Sequence, residues 1–143
     1  MFYGLRIKAN EDGTFEASSR DIPECIYDAP SKEEAVKLAG DMMPGTMELF
    51  YRKKKLPIPL PSPVEEGEVA IMVPTRVQAK ILLWNYMVEN RYRVADVAKM
   101  FGVTQTQAQR YVDLTKDKAS METLDSVMYA LGMQFTLTVS KRP

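Results

Sequence analysis

The sequence predicts an α+β protein: a β-β-β-α-β half followed by an all-helical half that ends in one more strand. Three observations carry this. Residues 2–29 alternate between apolar and polar with turn signals between the runs, which is the period of half-buried strands. Residues 75–131 show apolar positions at i, i+3 and i+4, the period of helices. Between them lies "LPIPLPSPVEEG", Leu56 to Gly67, which holds four of the nine prolines. Prolines fix φ and push their predecessors to extended conformations, so this segment is a stiff connector lying on its own domain, or else a ligand for a proline-recognising partner. The division is therefore 1–73 and 74–143, with 56–67 as connector.

In the first half, "FYGLRIKA" places Tyr3, Leu5, Ile7 and Ala9 on one face. Asp12-Gly13 is a hairpin signal, and "TFEASS" returns as the second strand. "DIPECIYDA" turns at Pro23 into a short third strand. Ser31 with Glu34 has capping-box spacing and opens a helix whose apolar stripe reads Ala35, Leu38, Ala39, Met42, Leu49 and Phe50. Pro44-Gly45 interrupts that stripe, and an interior proline predicts a kink or break. "EVAIMV" (68–73) is apolar enough to predict a buried strand.

In the second half, Thr75 and Gln78 repeat the capping-box spacing, and the helix runs to about Asn90 with Val77, Ile81, Trp84 and Val88 on one side. A second helix spans Val94–Phe101, and a third begins after Thr104. A fourth follows Ser120, with Met121, Leu124, Met128 and Leu131 inward, and ends at Gly132. "QFTLTV" (134–139) is a terminal strand without a partner in its own half.

Composition removes several function classes. The chain of 143 residues contains no histidine and one cysteine, Cys25. Ser-His and Cys-His catalysis and most zinc sites are therefore excluded, leaving carboxylate-metal or lysine chemistry. A lone cysteine forms no internal disulfide and suits a reducing cytoplasm. No apolar run reaches the roughly 18 residues of a membrane span, and "MFYGLRIKAN" lacks the regions of a signal peptide. Neither a cofactor nor a membrane is implied. The net charge of zero conceals an asymmetry. Residues 1–73 carry nine Lys+Arg against thirteen Asp+Glu (−4), and residues 74–143 carry ten against six (+4). A basic half suits nucleic acid and an acidic half a basic partner.

The chemically informative stretch is "VADVAKMFGVTQTQAQRYVDL", Val94 to Leu114. Ala98 lets two helices approach, Gly102 can take the left-handed turn that ends the first, and Val103 fills the space between them. Thr104 is the N-cap of the next helix, with Gln107 in the reciprocal position, and Ala108 and Val112 face inward. Helical spacing then turns Gln105, Thr106, Gln109 and Arg110 outward, with Gln107 between. This is the pattern of a helix-turn-helix whose second helix enters the major groove. Glutamine pairs bidentately with adenine, arginine with guanine, and a threonine methyl touches thymine. The alternative is a solvated polar face, since glutamine is a good helix former. Lys99, Lys116 and Lys118 flank the helix, as phosphate contacts or as solvated lysines. Lys53-Lys54-Lys55 reads as a solvated helix end.

The second half resembles the helix-turn-helix of phage-repressor (Xre/Cro-like) regulators: the stretch above, then "METLDSVMYALG". Arg93 departs from the pattern, standing where a Ser or Thr cap is usual. The whole chain resembles HicB-type antitoxins with a helix-turn-helix tail. The features that carry this are strand–Asp-Gly–strand, "DIPECIYDAPSKEEA", "LPIPLPSP" and "VPTRVQAKILL", in that order. The resemblance implies a non-enzymatic protein whose first half is a truncated ribonuclease-H-like domain without its catalytic set. That half would bind a HicA-type toxin, a small basic RNA-cleaving protein. The tail would dimerise, as a homodimer or higher even oligomer, and repress its own operon by binding double-stranded operator DNA. Asp21, Glu24 and Asp28 on "DIPECIYDA" are the candidate acceptors for the toxin's Lys or Arg, or ordinary surface carboxylates. "QFTLTV" is expected to pair with its copy across the dimer axis. Two other readings stay open. One is a stand-alone repressor with a ligand-sensing first half. The other is a carboxylate-metal nuclease drawing on Asp12, Glu16, Asp21 or Asp28.

Overall fold

The computed structural model describes residues 1–143 and is an α+β fold. Strands β1 (Phe2–Ala9), β2 (Phe15–Ser19), β3 (Ile26–Ala29) and β4 (Val69–Met72) form one antiparallel sheet in the order β3-β2-β1-β4. Leu5 lies opposite Ser19 and Ile7 opposite Ala17, which puts the predicted apolar face of β1 on one side. Tyr3 and Leu5 are fully buried there, with Ala17 beside them. Gly13 takes positive φ in the β1–β2 turn, as its hairpin signal implies. The β4 expectation fails in one respect. The strand stands at the sheet edge, paired only to β1, and Met72 is 64% exposed. An apolar run states that side chains are apolar and leaves open whether both faces are covered.

Helix α1 (Lys32–Met47) crosses one face of the sheet. The Ser31 hydroxyl accepts from the Glu34 N–H (3.1 Å) and in turn donates to the Glu34 carboxylate (3.0 Å). Its buried line is Ala35, Ala39, Met43 and Met47. The stripe read from the sequence shares Ala35 and Ala39 with this line and departs from it elsewhere: Leu38, Met42 and Leu49 are exposed. Small alanines, not the larger leucines, sit at the close approach to the sheet. Pro44 does not break the helix. The Thr46 hydroxyl donates to Met42 O (2.9 Å), and the chain runs on through Met47 into a single π-helical turn, Glu48–Arg52. The wider turn follows shortly after the missing proline N–H, where the hydrogen-bond ladder is already perturbed.

The connector is fastened from end to end. Trp84 Nε1 donates to Leu56 O (2.8 Å), and the Asn85 amide bonds both ways with the Ile58 backbone (2.7 and 2.8 Å). Tyr3 Oη donates to Pro59 O (2.6 Å). Arg20 donates to Ser62 Oγ, to Pro63 O and to the Glu68 carboxylate. These bonds match the reading of a rigid connector on its own chain.

The second half comprises α2 (Thr75–Glu89), α3 (Val94–Phe101), α4 (Gln105–Gln109) and α5 (Met121–Ala130). The predicted box at the start of α2 is not made: Pro74 is the N-cap, and the Gln78 amide donates to Val73 O instead. Ser120 caps α5 by accepting from the Thr123 N–H, and Gly132 ends it with φ +81°. Residues 134–139 form no strand, which corrects the predicted terminal one. Leu137 and Val139 are exposed, and the segment pairs with neither open edge of the sheet, β3 or β4. One continuous cluster of buried apolar side chains runs from Tyr3 through Ile58 and Trp84 to Leu131, so the two halves pack on a shared core. No helix is long and apolar enough to cross a membrane.

Candidate nucleic-acid interface

Helix α3 starts at Arg93, which lacks an acceptor side chain. Asp96 compensates: its carboxylate accepts the Arg93 backbone N–H (2.8 Å) and faces the guanidinium (3.2 Å). These contacts hold the Asp96 carboxyl below the usual carboxylate range, the backbone bond first. Gly102 ends α3 in the left-handed conformation (φ +61°), and Val103 N–H closes back on Ala98 O (3.0 Å). Thr104 then caps α4 with a complete box. Its hydroxyl accepts from Gln107 N–H (3.1 Å), while Gln107 Oε1 accepts from Thr104 N–H (3.0 Å). Ala98, Ala108 and Val112 are buried as the spacing requires. Phe101, the last residue of α3, meets Tyr111, just beyond α4, edge-on at 6.2 Å between ring centroids.

The candidate reading residues separate into two groups. Gln105, Thr106 and Arg110 are exposed, and their side chains make no hydrogen bond within the chain, so all their donors and acceptors are free. Gln107 and Gln109 are exposed but partly committed, Gln107 to the cap and Gln109 to Arg52, whose Nη1 donates to Gln109 Oε1 (3.0 Å). Lys99 and Lys116 are exposed on either side. Helix α4 is short, and its final bonds tighten to i→i+3: Arg110 to Gln107, Tyr111 to Ala108 and Val112 to Gln109.

Two supports escaped sequence reading. Glu48 and Arg52, four apart on the π-helical turn, form a buried ion pair with only 3% and 10% of their side chains exposed. Glu48 also accepts the Leu114 N–H (3.0 Å), and Arg52 lies over the Trp84 ring. The first half thus grips both ends of the segment after α4 begins. The i, i+4 spacing is a legible signal for the pair, but nothing local identifies Gln109 and Leu114 as its partners. The second support is Lys80, buried on α2. Its ammonium donates to Asp113 O (2.9 Å) and Lys116 O (2.8 Å), pinning the loop that leaves α4. Arg76 pairs with Asp117 in the same loop.

Burial, and then the neighbouring Arg76, push the Lys80 amine down to about 8 from 10.5. Between those two values the unfolded chain binds the proton that the folded chain has released, so stability rises with pH across that window. Lys80→Met removes this contribution. Denaturant midpoints measured from pH 8 to 10.5 should climb in the wild type relative to the variant, and parallel curves would contradict the assignment.

Of the candidate toxin contacts, Asp21 receives the Ser62 N–H (3.0 Å) and hydroxyl (2.7 Å), and Glu24 accepts the Tyr51 hydroxyl (2.6 Å). Asp28 is exposed, with one bond from Asn10 (3.2 Å). Cys25 is buried, its thiol pushed up to about 11 by that burial. No three acidic or cysteine side chains converge where a metal ion could sit.

Two short helices joined at a left-handed glycine, with exposed amides and a guanidinium on the second, define a helix-turn-helix protein. A family model for the Cro/C1-type helix-turn-helix DNA-binding domain matches residues 82–136, and one described as the HicB-like antitoxin of bacterial toxin–antitoxin systems matches residues 2–82. The chain is 31% identical over 139 residues to Antitoxin HicB 1 of Photorhabdus laumondii, covering 97% of this chain and 87% of that protein. It is 25% identical to Antitoxin HicB of Escherichia coli K12, covering 97% and 99%. The chain belongs to the HicB family of antitoxins, in the branch that carries a helix-turn-helix DNA-binding domain.

Proposed function

We propose that this antitoxin neutralises a HicA-type, mRNA-cleaving toxin through residues 1–73 and represses its own operon through residues 74–143. The observation that carries the DNA half of the reading is the free, outward-facing set Gln105, Thr106 and Arg110 on a rigidly capped helix. For the toxin half, family membership and the net charge of −4 support a basic partner. The first half then acts as a truncated ribonuclease-H-like unit that covers the toxin's active surface. Asp28 is the most available of the proposed acceptors, since Asp21 and Glu24 already serve the connector and Tyr51. The scattered carboxylates weigh against a metal-dependent nuclease, because Asp12 and Asp21 each cap a local turn or loop.

Operator half-sites about 34 Å apart need two-fold symmetry, hence two copies of α4. The unpaired 134–139 segment, exposed except at Phe135, which packs on the core, is suited to pair with its copy across that axis. Toxin alters repression only if it binds the DNA-competent form with a different affinity.

Co-expression with a HicA-type small basic protein from an adjacent reading frame, which the reading requires, is the test. The two should co-purify, restore growth that the small protein alone arrests, and give a complex mass requiring an even number of antitoxin copies. Absence of co-purification contradicts the toxin assignment, and a single antitoxin copy per complex contradicts the dimer.

A further inference from the structure

A cavity of about 640 Å³ lies where the two halves meet, and its walls combine apolar side chains such as Trp84 and Val88 with basic ones. Lys53 and Lys55 come from the end of the π-helical turn, Arg91 and Arg93 from the turn before α3, and Gln105 and Gln109 from the reading helix itself. No acidic side chain lines it. Arg93 is shared with Asp96, whereas Lys53, Lys55 and Arg91 enter no ion pair and are exposed.

The backbone singles out two of these cations. Four helical segments of this chain end in the same way, with a left-handed residue followed by an N–H that reaches back five residues. Leu56 bonds to Tyr51 O, Tyr92 to Met87 O, Val103 to Ala98 O and Met133 to Met128 O. The left-handed residue is glycine in two of them, Gly102 and Gly132, as is usual where a Cβ is unfavourable. In the other two it is Lys55 (φ +59°) and Arg91 (φ +60°), and both line this cavity. Attraction to the helix C-terminus favours a cation anywhere in the last turn. It does not account for placing one at the single position where glycine is easier, nor for its absence at Gly102 and Gly132. Of the three non-glycine left-handed residues, two fall at this one cationic cavity and the third, Ala119, lies elsewhere; paired strain at a cationic site is the pattern of a site held for a ligand.

We infer that this cavity is a cradle for the phosphate backbone of the duplex that α4 reads, so that the antitoxin half contributes Lys53 and Lys55 to operator binding. The inference rests on the DNA-reading assignment above. Charge complementarity and position select the occupant. The wall that carries Gln105 and Gln109 places the cavity beside any duplex those amides touch, and a polyanion there neutralises three otherwise unpaired cations. Phosphate contacts of this kind fix register and affinity without reading sequence.

The test uses the full-length chain and a duplex that the wild type enriches from a random-sequence pool. Lys55→Gly and Arg91→Gly each relieve a left-handed Cβ, so the double variant should fold with an unchanged or raised Tm. Each lost phosphate contact removes about 0.9 from the slope of log affinity against log salt, or roughly eightfold in affinity at 0.1 M salt. A dimer carrying both substitutions loses four such contacts on its two half-sites, so the slope should fall by about 3.6 and affinity at that salt by roughly 4,000-fold, with the enriched sequence unchanged. Equal affinity and slope in wild type and variant would overturn the cradle while leaving the reading helix intact. Failure of the wild type to enrich any sequence would overturn the DNA reading and the cradle with it.

Discussion

Arg52→Ala should lower the stability of this chain by about 3–5 kcal/mol, because it strands the Glu48 carboxylate in the core. The exposed alternative sets the scale: an i, i+4 pair on a solvated helix is worth only about 0.3–0.5 kcal/mol. Here both side chains are at least nine-tenths buried, and Glu48 is further fixed by the Leu114 N–H. The total stability of a domain is about 5–15 kcal/mol, so the loss is a large share of it. Glu48→Gln is the gentler companion, since an amide oxygen still accepts from Leu114. Urea midpoints of the two variants should differ clearly, with Arg52→Ala the less stable. A loss below about 1 kcal/mol for Arg52→Ala would show that the pair is solvated in solution. The same substitution frees Gln109, so any change in DNA binding must be compared at temperatures where the variant is folded.

Trp84→Ala should cost a similar amount, about 3–5 kcal/mol, as expected for truncating a buried aromatic side chain. Trp84 is 5% exposed, holds Leu56 through its indole N–H, and supports the Arg52 guanidinium on its face. Loss of the ring therefore loosens the connector as well as the core. Trypsin should cut faster after Lys53, Lys54 or Lys55 in the variant. Trp84→Phe separates the two contributions. It keeps most of the packing, drops the hydrogen bond, and should cost about 0.5–1.5 kcal/mol, because the exposed Leu56 carbonyl can be rehydrated. Equal losses for Phe and Ala would mean that the bond, not the packing, dominates.

What could be read from the sequence was what is local. Asp12-Gly13 fixed the first hairpin, Ser31-Glu34 the start of α1, and Gly102-Val103-Thr104 the turn between α3 and α4. Each is a contact between residues no more than five apart, and each is found in the fold. What failed depended on partners elsewhere. Whether Leu38 or Met43 faces the sheet turns on how the helix is rotated about the shared alanines Ala35 and Ala39, which the sheet decides and local spacing does not. Thr75-Gln78 has box spacing, but Pro74 shifts the helix start by one residue. The 134–139 segment alternates like a strand, yet a strand exists only against an edge, and this segment reaches neither open edge of the sheet, β3 or β4. The outward residues of α4 were legible because amphipathic spacing alone orients them. The Arg52–Gln109 contact was not, because its members lie 57 residues apart.

The central claim is that Gln105 and Arg110 read base edges. Selection of duplexes from a random pool by the wild type, by Gln105→Ala and by Arg110→Ala tests it directly. Each variant should lose preference at its own base pairs, by about 1–3 kcal/mol of discrimination, and keep it at the others. Identical enriched sequences for all three proteins would contradict the account.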